Sequence, residues 1–310
     1  MNVTDGSIAF CFLLYSKIDN PKQWASFFKD VSTDKYTIYS HLKIIDSGTQ
    51  DYIRDNAIES IETEWGSYSL LKASILLYKE ALKNKKNKHI ILLSGACIPI
   101  YNFDYIYNEL MSDTRSRIHC KYLKGHNIWS ASQWMTLSRP DATSITRLLD
   151  KNDTIAQNFI KYWSDETDVN GSGFLSGSLG PDEVMPINWF IYIYTNSSLK
   201  KLLKEIIYDP NIDSDVIKNA IYSKKFQEHI KISCTTFAYF KKNATSPVNF
   251  SDKIKFLNDK TDIMCNNCLF SRKFSNDKNT FVCKSKSKSK SKSKSKKLTI
   301  NDNYWGPMFL

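Results

Sequence analysis

The stretch from Lys88 to Phe103, KHIILLSGACIPIYNF, constrains this chain more than any other. Its first part, His89 to Leu93, is a run rich in isoleucine and leucine, closed by Ser94-Gly95. A short apolar run bounded by turn residues is the pattern of a strand buried on both faces of a parallel sheet. A second apolar turn follows, and Asp104 to Leu110 carries helical spacing. Strand, tight turn and helix make the unit of an open α/β fold, which takes ligands beyond the carboxyl ends of its strands. Ser94, Gly95 and Pro99 would sit there. An ordinary strand-to-helix turn is the other reading of the same residues.

The segments before this one repeat the alternation. Ile8 to Tyr15 reads as a first buried strand, Pro21 to Phe28 as a helix with proline near its start, and Tyr36 to His41 as a second strand. Ala57 to Ile61 is a candidate third strand. Tyr68 to Leu82 has apolar residues at 70, 71, 75, 77, 78 and 82, the stripe of an amphipathic helix. Beyond Arg115 the pattern loosens. Trp129 to Arg139 reads as a strand or turn leading into a helix from Pro140 to Leu149. A glycine- and serine-rich loop, Gly171 to Gly180, runs into Pro181-Asp182-Glu183. Trp189 to Tyr194 is predicted as a strand, Leu199 to Ile207 and Ser214 to Ala220 as helices, and Ile230 to Phe240 as another strand.

The formal charge of +11 misleads, because eight lysines lie in the Lys/Ser alternation from Lys284 to Lys297 and without them the charge is +3. That low-complexity tract is predicted as a disordered spacer. The mildly basic remainder suits a phosphate-bearing small ligand better than a broad nucleic-acid face. Residues 298–310 are apolar enough to dock back on the body. Ile8 to Tyr15 is too short for a membrane span and has no signal-peptide flanks. Seven scattered cysteines agree with reduced thiols and a reducing compartment, hence a cytoplasmic expectation. Cys265-x-x-Cys268 with Cys283 hints at zinc, but a fourth ligand would have to come from Cys234 or a histidine. The expectation for metal is none.

Six segments, taken in order, resemble the core-2/I-branching β-1,6-N-acetylglucosaminyltransferase family, which also holds the peptide O-xylosyltransferases and related plant proteins. They are Ile38-Tyr39-Ser40-His41; Trp65-Gly66 with Ala73 and Leu76-Leu77; and Leu92-Leu93-Ser94-Gly95 with Cys97-Ile98-Pro99-Ile100 and Phe103. Then come Ser132-Gln133-Trp134 with Leu137-Ser138-Arg139; Pro181-Asp182-Glu183; and Leu269-Phe270-Ser271-Arg272-Lys273-Phe274. The resemblance implies an α/β fold of GT-A-like type on a mixed central sheet. Residues 1–112 would form a nucleotide-binding half and 113–283 an acceptor and catalytic half of one domain. It implies an inverting, metal-independent transfer of GlcNAc or xylose from a UDP-sugar to a glycan or protein hydroxyl, with no cofactor. No Asp-x-Asp motif follows a nucleotide-binding strand, in keeping with that.

Inversion in one displacement needs a carboxylate to take the acceptor proton and fixed cations to neutralise the departing diphosphate. By the family match Glu183 is the base and Asp182 holds its loop on the acceptor side. The alternative is an acidic pair at a helix N-terminus. Lys273, with Arg272 beside it, matches the diphosphate cation; a solvated basic pair is the alternative. A second cation is expected upstream, and the nearest candidate is Lys231, a departure from the family's arginine. Leu14, His41, Trp65 and Ser94 fall on the nucleotide side; Trp65 could stack on the nucleotide or the sugar, although core packing is slightly favoured for it and a structural role for His41. Gln133 and Trp134 fall on the acceptor side, with a buried tryptophan as the alternative. Two competing functions remain open: a sugar-binding protein without turnover on the same fold, and a polyanion binder acting through the Lys/Ser tract. The Lys-, Asn- and Ile-rich composition suggests an AT-rich viral or microbial genome.

Overall fold

The structure is a computed structural model that describes residues 6–123, 128–165, 180–195, 215–238 and 268–274. The expected loop up to residue 179, the helix at 199–207, the Lys/Ser tract and the apolar tail lie outside the described residues. In chain order the first elements are β1 (Ser7–Leu14), α1 (Pro21–Phe28), β2 (Tyr36–Leu42), α2 (Asp51–Arg54), α3 (Tyr68–Lys83), β3 (Asn87–Ser94), β4 (Ile98–Pro99) and α4 (Phe103–Met111). There follow β5 (Ser116–Ile118), β6 (Cys120–Leu123), β7 (Ile128–Ala131), β8 (Thr136–Ser138), α5 (Arg139–Thr146) and α6 (Thr154–Asp165). The last are α7 (Pro181–Tyr194), α8 (Asp215–Ala220), α9 (Lys224–His229), β9 (Ile230–Ile232), β10 (Thr236–Ala238) and β11 (Phe270–Arg272).

These elements fall into two compact units, neither a continuous run: residues 1–18, 32–95 and 109–235 form one, and 19–31, 96–108 and 236–310 the other. A boundary at residue 112 is therefore not a boundary of compactness. Unit one is a mixed α/β unit on a six-stranded mixed sheet in the order β2-β1-β3-β8-β5-β9, consistent with a GT-A-like fold. β1 runs parallel to both β2 and β3, while β8 is antiparallel to β3 and β5. All eight residues of β1 are buried, which is why the segment shows no period of two. α3 packs Leu71, Ile75, Leu77 and Tyr78 inward, with Ser67 as its N-cap.

Two expectations change here. The segment from Trp189 to Tyr194 is the second half of α7, not a strand. The helix is apolar all round and sits among α3, α5 and β7, so it shows no amphipathic stripe. Ile230 to Phe240 is broken: β9 joins the large sheet beside β5, and the chain leaves it before β10. Residues 57–61 make only a single bridge, Ala57 to Ser40.

Unit two centres on a three-stranded sheet, β10-β11-β4. Trp24 of α1 stacks on Phe270 at 6.0 Å, and its Nε1 donates to the carbonyl of Cys97 at 2.9 Å. Asn20 donates to the Phe274 carbonyl at 2.8 Å, and the Phe274 amide donates to Ala96 at 3.0 Å. The Leu269 to Phe274 segment is thereby pinned at both ends.

Candidate active site

The carboxyl ends of β2, β1 and β3 form a rim. The order 2-1-3 puts a topological switch between β1 and β3, where an open sheet leaves a crevice. The loops after these strands are knitted together. Thr49 donates its hydroxyl to the Ser16 carbonyl at 2.9 Å, and Gln50 both accepts from the Ile18 amide and donates to the Ile18 carbonyl at 3.0 Å. A Cβ on Gly95 would lie 2.5 Å from the Lys17 carbonyl oxygen, so only glycine allows the β1 and β3 loops to meet.

Leu14, His41 and Ser94 lie at this rim, in registers Leu13 to His41 and Leu13 to Ser94. All three are buried. His41 is wholly buried; its Nε2 accepts the Ile61 amide at 3.0 Å, so the proton of the neutral ring belongs on Nδ1. Burial pulls the ring's pKa down, which keeps it neutral. Its visible work is to hold the segment leading to Trp65, helped by Lys43, whose ammonium donates to the Thr63 carbonyl at 2.7 Å. The outward-facing rim residue is one the sequence reading had placed inside β1: Tyr15 follows the strand and is 67% exposed, beside Ile44. The signal was present, since an apolar run ending in tyrosine can end with that residue outside the sheet.

Trp65 is not core. It is 83% exposed, on the turn Glu64-Trp65-Gly66-Ser67 closed by the Ser67 amide donating to the Glu64 carbonyl at 3.2 Å. Gly66 has φ +74°, the left-handed value a type II turn requires at its third position. The turn sits next to the start of α7, where a Cβ on Gly180 would lie 3.8 Å from the Gly66 Cα.

That start carries Pro181, Asp182 and Glu183 in its first turn, with Pro at the position where a missing N–H costs nothing. The amide of Glu183 donates to the Gly180 carbonyl at 2.9 Å. Pro186 has no N–H for the Asp182 carbonyl four residues earlier, which leaves this first turn less tied to the rest of the helix. Asp182 is buried, near Tyr78 of α3, and burial pushes its carboxyl up to about 6. Glu183 is half-buried. The pair thus divides into an internal carboxyl that holds its proton more tightly than a free aspartate and a half-buried neighbour.

The other candidates are placed as follows. Trp134 is buried in the core of unit one, which favours the structural of its two readings; Gln133 beside it is half-buried. Lys231, on β9, lies 3.3 Å from Asp113 and 4.0 Å from Glu109, carboxylates that Arg115 and Arg117 also pair with at 2.8 Å, so it belongs to an ion-pair cluster of three cations and two carboxylates. Arg272 ends β11 and Lys273 follows it, in unit two. The Leu137-Ser138-Arg139 segment is structural. Ser138 caps α5, and the Arg139 guanidinium donates to the carbonyls of Leu82, Asn84 and Asn87 at 2.7–3.2 Å, closing the C-terminus of α3. Cys234 and Cys268 are each disulfide-bonded, which corrects the expectation of reduced thiols and removes both as zinc ligands. No cluster of His, Cys, Asp or Glu suited to a metal occurs among the described residues, and no helix among them is long and apolar enough to cross a membrane.

Comparison with known proteins bears on the first part of the chain. The family model for the Core-2/I-Branching enzyme matches residues 8–129. Glycosyltransferase BC10 of Oryza sativa subsp. japonica is 26% identical over 115 residues, 35% of this chain and 29% of that protein. The matched stretch therefore spans less than a third of this relative's length. The solved structure of A197 from STIV aligns with 45% of this chain and 69% of its own at 12% identity, but its TM-score of 0.25 carries no argument.

Proposed function

We propose, on the premise that residues 8–129 are a Core-2/I-branching enzyme domain, that this protein is an inverting glycosyltransferase. It moves GlcNAc or xylose from a UDP-sugar to an acceptor hydroxyl without a metal. The observation that supports this best is the start of α7. It carries a half-buried residue, Glu183, three positions after Gly180, which meets Gly66, and it lies in the unit whose strand tips carry Leu14, His41 and Ser94.

In the reaction Glu183 accepts the proton of the acceptor hydroxyl as that oxygen attacks the anomeric carbon. The new C–O bond forms on the face of the sugar opposite the departing UDP. The bond to the β-phosphate oxygen breaks, and UDP leaves with the electron pair. Asp182, buried beside it in the first turn of α7, holds that turn. The resemblance assigns the neutralising cations to Lys273 and Arg272; Lys231 is the weaker candidate because Asp113 already holds it. Leu14, His41 and Ser94 shape the nucleotide side, and Gln133 is the better placed of the two acceptor candidates. The ion pairing of Lys231 is also the observation that favours a second reading, a sugar-binding protein that has lost turnover.

A UDP-release screen with UDP-GlcNAc and UDP-xylose, with and without EDTA, tests the proposal. Release that survives EDTA and disappears in Glu183→Gln is expected. Loss in EDTA overturns the metal-free mechanism, undiminished release in Glu183→Gln overturns the base, and no release with either donor favours the second reading.

A further inference from the structure

We infer that Asn152 is an attachment site for an N-linked oligosaccharide, and that the chain matures in an oxidising compartment. Asn152-Asp153-Thr154 has the Asn-x-Ser/Thr pattern that oligosaccharyl transfer reads, and it lies wholly among the described residues. Such a pattern often arises by chance; the division of labour within this triplet sets it apart.

The triplet sits on the turn between the short 3-10 helix Arg147–Leu149 and α6. Its middle residue does the structural work. Asp153 caps α6: its Oδ1 accepts the Ala156 amide at 3.0 Å and its main-chain carbonyl accepts the Gln157 amide at 2.8 Å. The same carboxylate accepts from the Arg147 guanidinium at 2.6 and 3.2 Å. The turn is closed from the other side by Asp150, whose Oδ1 accepts the Asn152 main-chain amide at 2.9 Å and whose carbonyl accepts the Gln157 side chain at 2.8 Å. Asparagine in a turn and threonine at a helix start ordinarily bond the local backbone themselves. Here aspartates fill both roles. Asn152 and Thr154, the two residues that define the pattern, are exposed, and neither side chain makes a hydrogen bond among the described residues. A sugar added at this position displaces no packed group.

The cysteines supply an independent observation. Cys234 and Cys268 are disulfide-bonded, and structural disulfides persist in oxidising compartments, where asparagine is also glycosylated. In the transfer, Nδ2 of Asn152 attacks the anomeric carbon of an oligosaccharide carried on a lipid diphosphate. The N–C bond forms, the bond from that carbon to the diphosphate oxygen breaks, and the lipid diphosphate leaves with the electron pair. The amide gives one proton to the transferase.

Peptide mapping of the protein isolated from the cells that produce it tests the inference. Peptide N-glycosidase in heavy-oxygen water converts a glycosylated asparagine to a labelled aspartate, and trypsin then releases residues 152–161 as one peptide. The label should fall on Asn152 and not on Asn158 of the same peptide; an unlabelled Asn152 overturns the inference. Two variants, passed through a eukaryotic secretory pathway behind a cleavable leader, separate modification from folding. Thr154→Ala should lose the label at Asn152 and keep the parent's melting temperature. Asp153→Ala should keep the label and melt lower. Label that survives Thr154→Ala, or a Thr154→Ala protein that melts as low as Asp153→Ala, overturns the assignment of this triplet.

Discussion

Two helix starts in the larger unit look alike in sequence and differ in what they leave available. At α5, Ser138 caps the helix and Asp141 is wholly buried, accepting hydrogen bonds from the hydroxyls of Ser116, Ser138 and Tyr194. Every oxygen there is directed inward, and Arg139 adds three bonds that close α3. At α7, Asp182 is buried in the same way, but the next residue, Glu183, is only half-buried, and Gly180 before them meets Gly66 of the turn that carries the exposed Trp65. Both segments carry the family resemblance, and only in the second is one of the residues in the motif a half-buried carboxylate. A matching motif can mark a joint in the scaffold as readily as a reacting atom.

The largest effect that could break this contrast is on turnover. Glu183→Gln should lower the rate of UDP release about 10²- to 10⁴-fold and leave the melting temperature nearly unchanged, read by steady-state assay and calorimetry. Asp141→Ala should do the reverse. Removing an acceptor shared by three buried hydroxyls should cost about 3 kcal/mol of stability in a denaturant titration, with turnover per folded molecule preserved.

The pH dependence of Asp182 sharpens the comparison further. Its carboxyl is raised in the fold, so the folded protein keeps a proton that the unfolded chain has released. Its contribution is therefore best at low pH, falls as pH rises from 3.8 through about 6, and is level above that. Asp182→Asn should gain stability relative to the parent between pH 4 and pH 7, by about 3 kcal/mol at most, in paired urea titrations. A difference that stays flat or runs the other way would show a carboxyl held ionised. The smallest effect expected is at the rim. Gly95→Ala would press a methyl group against the Lys17 carbonyl, and should cost about 1–2 kcal/mol of stability by thermal denaturation.

Much of the scaffold was legible from residue order. β1, β2, β3, α1 and α3 appear where buried apolar runs, an early proline and a 3.6-residue stripe placed them. α7 was not legible in its second half. Trp189-Phe190-Ile191-Tyr192-Ile193-Tyr194 has the aromatic and β-branched content of a strand, and tertiary packing on several sides erased the helical period. The exposure of Trp65 was missed for a different reason: hydrophobicity argued for burial, while Gly66 and the capping Ser67 already spelled a turn. The site itself was legible only in part, because the family match ends at residue 129. Glu183, Arg272 and Lys273 lie beyond it and rest on short resemblances. Lys231 shows the limit of choosing a cation by chain position, since its neighbours Asp113 and Glu109 come from a distant segment.

The meeting of Gly95 with the main chain at Lys17 restricts how this protein could acquire a different ligand. The spacing between the first and third strand tips is fixed by peptide atoms in contact, and no side chain at position 95 can widen or decorate it. Change has to enter from the opposite flank, through residues 43–65, where Tyr15's neighbours and the tryptophan turn already face water. Diversity among descendants of this chain should collect there and spare the glycine.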